Sequence, residues 1–218
     1  AVKNSYGFVY GFHKAKGHTQ YPSADSFARM LIDLNKCVAP KLYVMDGIVA
    51  MEGNGPGSGD PVPMNVLLMS TDPVALDSVF SRLVYLKPEM VPTNYHGEKM
   101  GLGTWKEEEI TLLTPDGEIS MAEAVKKYGN PAFNVDRTEV RKNIWTRMAG
   151  ALNIFQKKPY IEADKCVRCG ICVQSCPVPG KAVDFRKGKG KPPVYDYRKC
   201  IRCFCCQEMC PKKAIKVK

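Results

Sequence analysis

The chain carries Cys166-x2-Cys169-x2-Cys172-x3-Cys176-Pro177 and then, 34 residues on, Cys200-x2-Cys203-x2-Cys206-x3-Cys210-Pro211. No other stretch restricts what the chain can fold into as much. A thiolate is a soft anionic ligand, and a C-x2-C-x2-C loop can wrap three of them round one corner of a cubane iron–sulfur cluster. The fourth cysteine lies too far along to close the same cluster easily, and in motifs of this spacing it ligates the other one. The spacing therefore assigns Cys166, Cys169, Cys172 and Cys210 to cluster I, and Cys200, Cys203, Cys206 and Cys176 to cluster II. Structural zinc and disulfides compete with this reading. Zinc sites usually combine two C-x2-C pairs, not triplets with a displaced fourth cysteine and a proline.

The 218 residues allow one medium domain and one small one. No apolar run approaches the roughly 18 residues of a membrane span, and no charged-then-apolar leader opens the sequence. Residue 1 is Ala, as expected of a processed or cut chain. Nine of the ten cysteines follow residue 165. That clustering argues against a distributed disulfide framework and for a reducing, cytoplasmic setting, in keeping with an anaerobe.

The net charge of +10 is concentrated at the same end: residues 160–218 hold 14 Lys/Arg and 5 Asp/Glu, whereas residues 1–159 hold 18 and 17. Two oxidised cubanes with eight thiolates would contribute about −4, so much of the excess compensates the cofactors. The remainder suits a redox partner with an acidic docking face. No aromatic–basic recognition motif accompanies the charge, so nucleic acid is not expected as a partner.

Upstream, helices and strands alternate, as an α/β (or α+β) layer requires. Ser23 caps a helix with Phe27, Met30, Leu31 and Leu34 on one face. Residues 41–47 read as a strand ending at Asp46-Gly47. Glu52-Gly53-Asn54-Gly55-Pro56-Gly57-Ser58-Gly59-Asp60 reads as a connection or a ligand loop, but lacks the spacing of a phosphate-binding motif. Residues 65–70 read as a buried strand, followed by a helix capped by Thr71 or Asp72 with Pro73 at its first position. Asp77 lies beside that helix's apolar stripe and should bond a backbone N–H or face a pocket. Residues 88–103 read as turn-rich. A strand over 110–114 precedes a helix opened by the Ser120/Glu123 capping box, and residues 136–155 show one apolar helical face. His13 and His18 lack the spacing that puts two histidines on one helical face, and Cys37 reads as a buried small hydrophobe.

Residues 160–218 closely resemble the bacterial-type ferredoxin with two 4Fe–4S clusters, and all eight ligand positions carry over. Cys205, beside Cys206, is a departure and reads as a spare thiol. Val44-Met45-Asp46-Gly47, Glu52-Gly53-x-Gly55-Pro56-x-x-Gly59, Ser70-x-Asp72-Pro73-Val74-Ala75-Leu76-Asp77 and Gly101-Leu102-Gly103 resemble the uncharacterised family called domain of unknown function 362. That family's longer members have a further N-terminal half. The resemblance makes Asp46, Glu52, Gly53, Gly55, Asp72 and Asp77 the pocket candidates of the N-terminal domain. The expected organisation is an α/β domain over 1–130, truncated at its N-terminus, a helical linker over 131–159, and a small α+β ferredoxin-like two-cluster domain over 160–218. The expected function is single-electron transfer through two 4Fe–4S clusters, with potentials near about −400 mV. The alternatives are an iron–sulfur oxidoreductase with a flavin or small-substrate site in the N-terminal domain, and an assembly protein whose clusters are structural.

Overall fold

The computed structural model describes residues 1–10, 14, 17, 18, 20, 21, 23–54, 58–138, 158–186 and 188–217. The chain divides into two compact units: the first comprises Ala1–Tyr10, Ser23–Gly53 and Asp60–Arg137, and the cysteine-rich module lies in the second. Both mix helices and strands.

In the first unit, helix α1 (Ala24–Val38) starts at Ser23, whose hydroxyl accepts from the Ser26 N–H while Ser26 accepts from the Ser23 N–H in return. Its inward face, with Phe27, Leu31 and Ile32, meets Val2, Val74 and Trp105 in one apolar core. Buried Asn35 fastens the 3-10 turn Val2–Phe8 to this helix. Its amide nitrogen donates to Val2 O at 3.0 Å and Leu31 O at 2.7 Å, and its oxygen accepts from Ser5 Oγ at 2.7 Å and Tyr43 Oη at 3.2 Å. A buried amide this fully satisfied holds its neighbours without a desolvation penalty.

Strands β1 (Tyr43–Asn54) and β2 (Ser58–Ser70) form a two-stranded sheet. Both are longer than the sequence pattern implies. Strand β2 runs through Pro61 and Pro63, which a central strand would not tolerate; a two-stranded sheet has a free edge where a missing N–H costs nothing. Val62, Met64 and Val66 point inward and pack with Phe80, Leu83, Val84 and Phe133. Gly47 is required by close approach, since a Cβ there would lie 2.8 Å from Val66 Cγ2. On the two strands Val44, Ile48, Val49, Met51, Leu67 and Met69 are exposed. Residues 55–57 of the glycine-rich loop lie outside the described residues.

Helix α2 (Pro73–Leu83) is capped by Asp72 with Pro73 in its first turn. The segment read as turn-rich holds a helix, α3 (Pro92–Lys99), which crosses close to α2 at Gly97. A Cβ on Gly97 would lie 2.5 Å from Val74 Cγ2. Strands β3 (Leu112–Thr114) and β4 (Gly117–Ile119) pair antiparallel, and helix α4 (Met121–Tyr128) follows from the Ser120/Glu123 capping box. The unit continues beyond residue 130: Phe133 is buried, and the Arg137 guanidinium donates to Val84 O at 2.8 Å and Phe133 O at 2.7 Å. The helix expected over 136–155 lies, from residue 139 onward, outside the described residues.

The second unit contains β5 (Pro159–Ile161), α5 (Ile171–Gln174), β6 (Val183–Asp184), β7 (Val194–Tyr195), α6 (Cys205–Glu208) and β8 (Ile215–Val217). Strand β5 pairs antiparallel with β8, and β6 with β7. The sequence repeat is also a backbone repeat. Left-handed φ values recur at Arg168 and Arg202 (59° and 55°), at Gly170 and Phe204 (80° and 58°), and at Lys181 and Lys213 (46° and 48°).

Candidate metal centres in the C-terminal module

Each motif runs as a loop into a helix of four residues, α5 or α6, entered through a left-handed residue, Gly170 or Phe204. This turn brings the third cysteine of each triplet, Cys172 or Cys206, onto the helix and buries it. The fourth cysteine follows the helix, and in each half a backbone N–H donates to its sulfur: Ala182 to Cys176 Sγ and Ala214 to Cys210 Sγ, both at 3.3 Å. Lys181 Nζ holds the turn after Cys176 by donating to Cys176 O at 2.7 Å.

Two cavities result. One is lined by Cys166, Cys169, Cys172 and Cys210, with Ile161, Ile171 and Ile215 among its walls, and has about 370 Å³ of empty space, its mouth included. The other is lined by Cys176, Cys200, Cys203 and Cys206, with Val178, Val183 and Tyr195, and has about 300 Å³. Between the two lie Cys172, Cys176, Cys206, Val183 and Ile215, a shared apolar core. Four soft donors per cavity, apolar walls and an N–H aimed at one sulfur form a donor set that suits a cubane cluster. Among the described residues no three His, Cys, Asp or Glu side chains converge on a single metal ion.

All ten cysteines are free thiols. Burial, reinforced by the neighbouring cysteines, pushes the Cys172 thiol up to about 11. Burial pushes Cys206 up to about 12, against the pull of the Tyr195 hydroxyl. Metal binding at these positions therefore displaces protons. Cys205 points back toward the Cys203 carbonyl, 3.9 Å away. Its thiol lowers the Cys203 pKa by hydrogen bonding to that sulfur and is itself raised by the same contact. Cys205 is absent from the lining of both cavities.

Sequence reasoning missed Tyr195, whose hydroxyl donates to Cys206 Sγ at 3.1 Å. Its ring stacks on Tyr197 with centroids 5.6 Å apart, and Tyr197 in turn donates to Pro159 O at 2.9 Å. Burial, with the nearby thiols, pushes the Tyr195 hydroxyl far above the ordinary tyrosine range, so it remains a donor. The signal lay in the repeat offset, which aligns Tyr195 with Ile161.

The acidic candidates of the first unit are each engaged by backbone N–H groups. Asp72 Oδ1 accepts from Val74 N at 2.7 Å and Ala75 N at 3.0 Å, and its Oδ2 accepts from Thr104 N at 2.9 Å. Asp77 accepts from Val2 N at 2.9 Å and pairs with the Ala1 ammonium. Asp46 accepts from Ile48 N at 3.0 Å. Glu52 and Gly53 meet at one residue, Asn134: its N–H donates to Glu52 at 2.8 Å, and its carbonyl accepts from Gly53 N at 3.2 Å. Asp72 and Asp77 share helix α2's surroundings but tie down different segments, near Thr104 and near Val2. Gly55 and His13 lie outside the described residues. His96 pairs with Asp25 at 3.1 Å, and Cys37 is exposed rather than buried, since it lies on the outward side of α1 one residue from its end.

Comparison with known proteins finds similarity in both parts of the chain. Over 102 residues the chain is 42% identical to the thylakoid-associated protein sll1697 of Synechocystis sp. (strain ATCC 27184 / PCC 6803 / Kazusa). The match covers 46% of this chain and 32% of that protein, so the chain spans about a third of its relative's length. No solved structure matches the chain. No described helix is long and apolar enough to cross a membrane. Residues 158–211 match the 4Fe-4S dicluster domain, which supports an iron–sulfur electron-transfer role. Residues 1–82 match the Domain of unknown function (DUF362), so the chain is a fusion of a DUF362 region with a 4Fe–4S dicluster domain, as the sequence resemblances imply.

Proposed function

We propose that the chain is an electron-transfer protein with two 4Fe–4S clusters, one held by Cys166, Cys169, Cys172 and Cys210 and the other by Cys200, Cys203, Cys206 and Cys176. When bound, the clusters supply low-potential, one-electron chemistry. The observation that carries the reading is the division of eight cysteines into two cavities, each taking three from one motif and the fourth from the other. The N–H groups of Ala182 and Ala214 stabilise the negative charge on Cys176 and Cys210. The apolar walls restrict water, which favours the more oxidised charge state and keeps the potential low. The Lys/Arg excess of residues 160–218 steers an acidic partner toward the module. Cysteines that must ligate iron and not pair as disulfides need a reducing compartment, for which we propose the cytoplasm.

The test is anaerobic reconstitution of the whole chain. Iron and acid-labile sulfide should each approach about eight per chain, and the bound chromophore should bleach on one-electron reduction and recover on reoxidation. Zinc in place of iron would sink the assignment. Clusters that no reductant can reduce above the hydrogen limit would favour a structural role.

A further inference from the structure

We infer that the hydroxyl of Tyr195 makes the two ligand sets electronically unequal, raising the reduction potential of the set that contains Cys206 and leaving the set that contains Cys172 untouched. This rests on the electron-transfer reading above. The module provides its own control, because the repeat offset of 34 residues superimposes Cys172 on Cys206 and Ile161 on Tyr195. Ile161 lines the first cavity, where it presents a hydrocarbon branch. Tyr195 lines the second, where its hydroxyl donates to the Cys206 sulfur at 3.1 Å.

A proton donated to a ligand sulfur withdraws electron density from it and stabilises the more negative, reduced state, and hydrogen bonds to sulfur are one of the means by which a protein sets cluster potential. The bond is also held in place. The Tyr195 ring is stacked on Tyr197 at an interplanar angle of 15°, and Tyr197 is anchored on the β5 carbonyl of Pro159 at 2.9 Å. By contrast, the Ala182 and Ala214 N–H bonds occur in both halves at 3.3 Å and do not distinguish them. A single electron from a low-potential donor is therefore held preferentially on the Cys206 side, which gives the module a direction.

The experiment uses the full chain, reconstituted with iron and sulfide and titrated with dithionite. A Cys206→Ser variant marks the reduction wave that belongs to that ligand set. Tyr195→Phe removes only the hydroxyl, and is expected to move the marked wave to more negative potential while the other wave stays. The half-reduced wild type should show one paramagnetic cluster coupled to the exchangeable hydroxyl proton of Tyr195 as well as to the Ala182 N–H, and Tyr195→Phe should lose only the hydroxyl coupling. Tyr197→Phe, which breaks the anchor to Pro159 but keeps the Tyr195 hydroxyl, should leave the unmarked wave in place and retain the coupling. Waves that stay put, shift together, or move only on the unmarked side overturn the inference. So does loss of iron from Tyr195→Phe, which would place the tyrosine in assembly instead. A wild type without reducible clusters overturns the electron-transfer reading itself; reducible clusters with unmoved waves overturn only the tyrosine's part.

Discussion

In the first half of the cysteine-rich module the backbone enters its short helix through Gly170 at φ 80°; in the second it does so through Phe204 at φ 58°. The turn is the same, but glycine adopts it freely and phenylalanine pays for it. The ring of Phe204 lines the second cavity, where the first half has no side chain to offer. Ile161 against Tyr195, and Ile171 against Cys205, follow the same rule. The ligand-bearing backbone is common to both halves, and the side chains around it are not. The difference separates what holding a cluster requires from what adjusts it.

The largest expected effect tests how the halves are joined. Cys210→Ser should empty the site lined by Cys166, Cys169 and Cys172 and spare the other, so iron falls to about four per chain. Iron analysis with spectroscopy reads this, and loss of the Cys200–Cys206 site alone would show that each motif is self-contained. A smaller effect tests the turn. Gly170→Ala should cost about 1–2 kcal/mol, because an L-residue is then forced left-handed, with a new Cβ 3.4 Å from the Phe185 ring. An earlier denaturant midpoint would register it. If the variant equals wild type, the first turn already tolerates what the second endures. The smallest effect concerns the extra thiol. Cys205→Ser should leave iron content unchanged, since Cys205 lines neither cavity and serine keeps a donor beside the Cys203 sulfur. A lost or altered cluster would make Cys205 a ligand and break the equivalence of the two motifs.

Legibility followed the range of the interaction. Helix caps at Ser23, Asp72 and Ser120 could be read because a cap is decided within three residues. The gathering of eight cysteines round two cavities could be read because their spacing is local and the repeat states it twice. Helix α3 was missed: Pro92 and Gly97 look like breakers, yet Pro92 sits in the first turn and Gly97 is there for the approach of Val74. Strand β2 was cut short for a similar reason, its prolines being harmless only on a free edge. For the acidic positions of the first unit, sequence gave residue type but not partner. Asp72 reaches Thr104, and Glu52 reaches Asn134, across separations no local pattern encodes. Tyr195 is intermediate, local in the repeat but visible only once its hydroxyl is seen against sulfur.

The pairing of β5 with β8 also constrains how the module is made. Tyr160 lies beside Lys216, and Ile161 beside Ile215, so the opening strand has no partner until Ile215–Val217 has been synthesised. During translation, the first three cysteines leave the ribosome well before Cys210 and wait as exposed thiols. Pairing strands so far apart in sequence carries a loop-closure cost that local contacts do not. The interval between Cys172 and Val217 is thus the window in which oxygen or stray metal can reach these thiols, and in which a dedicated cluster donor would have to act.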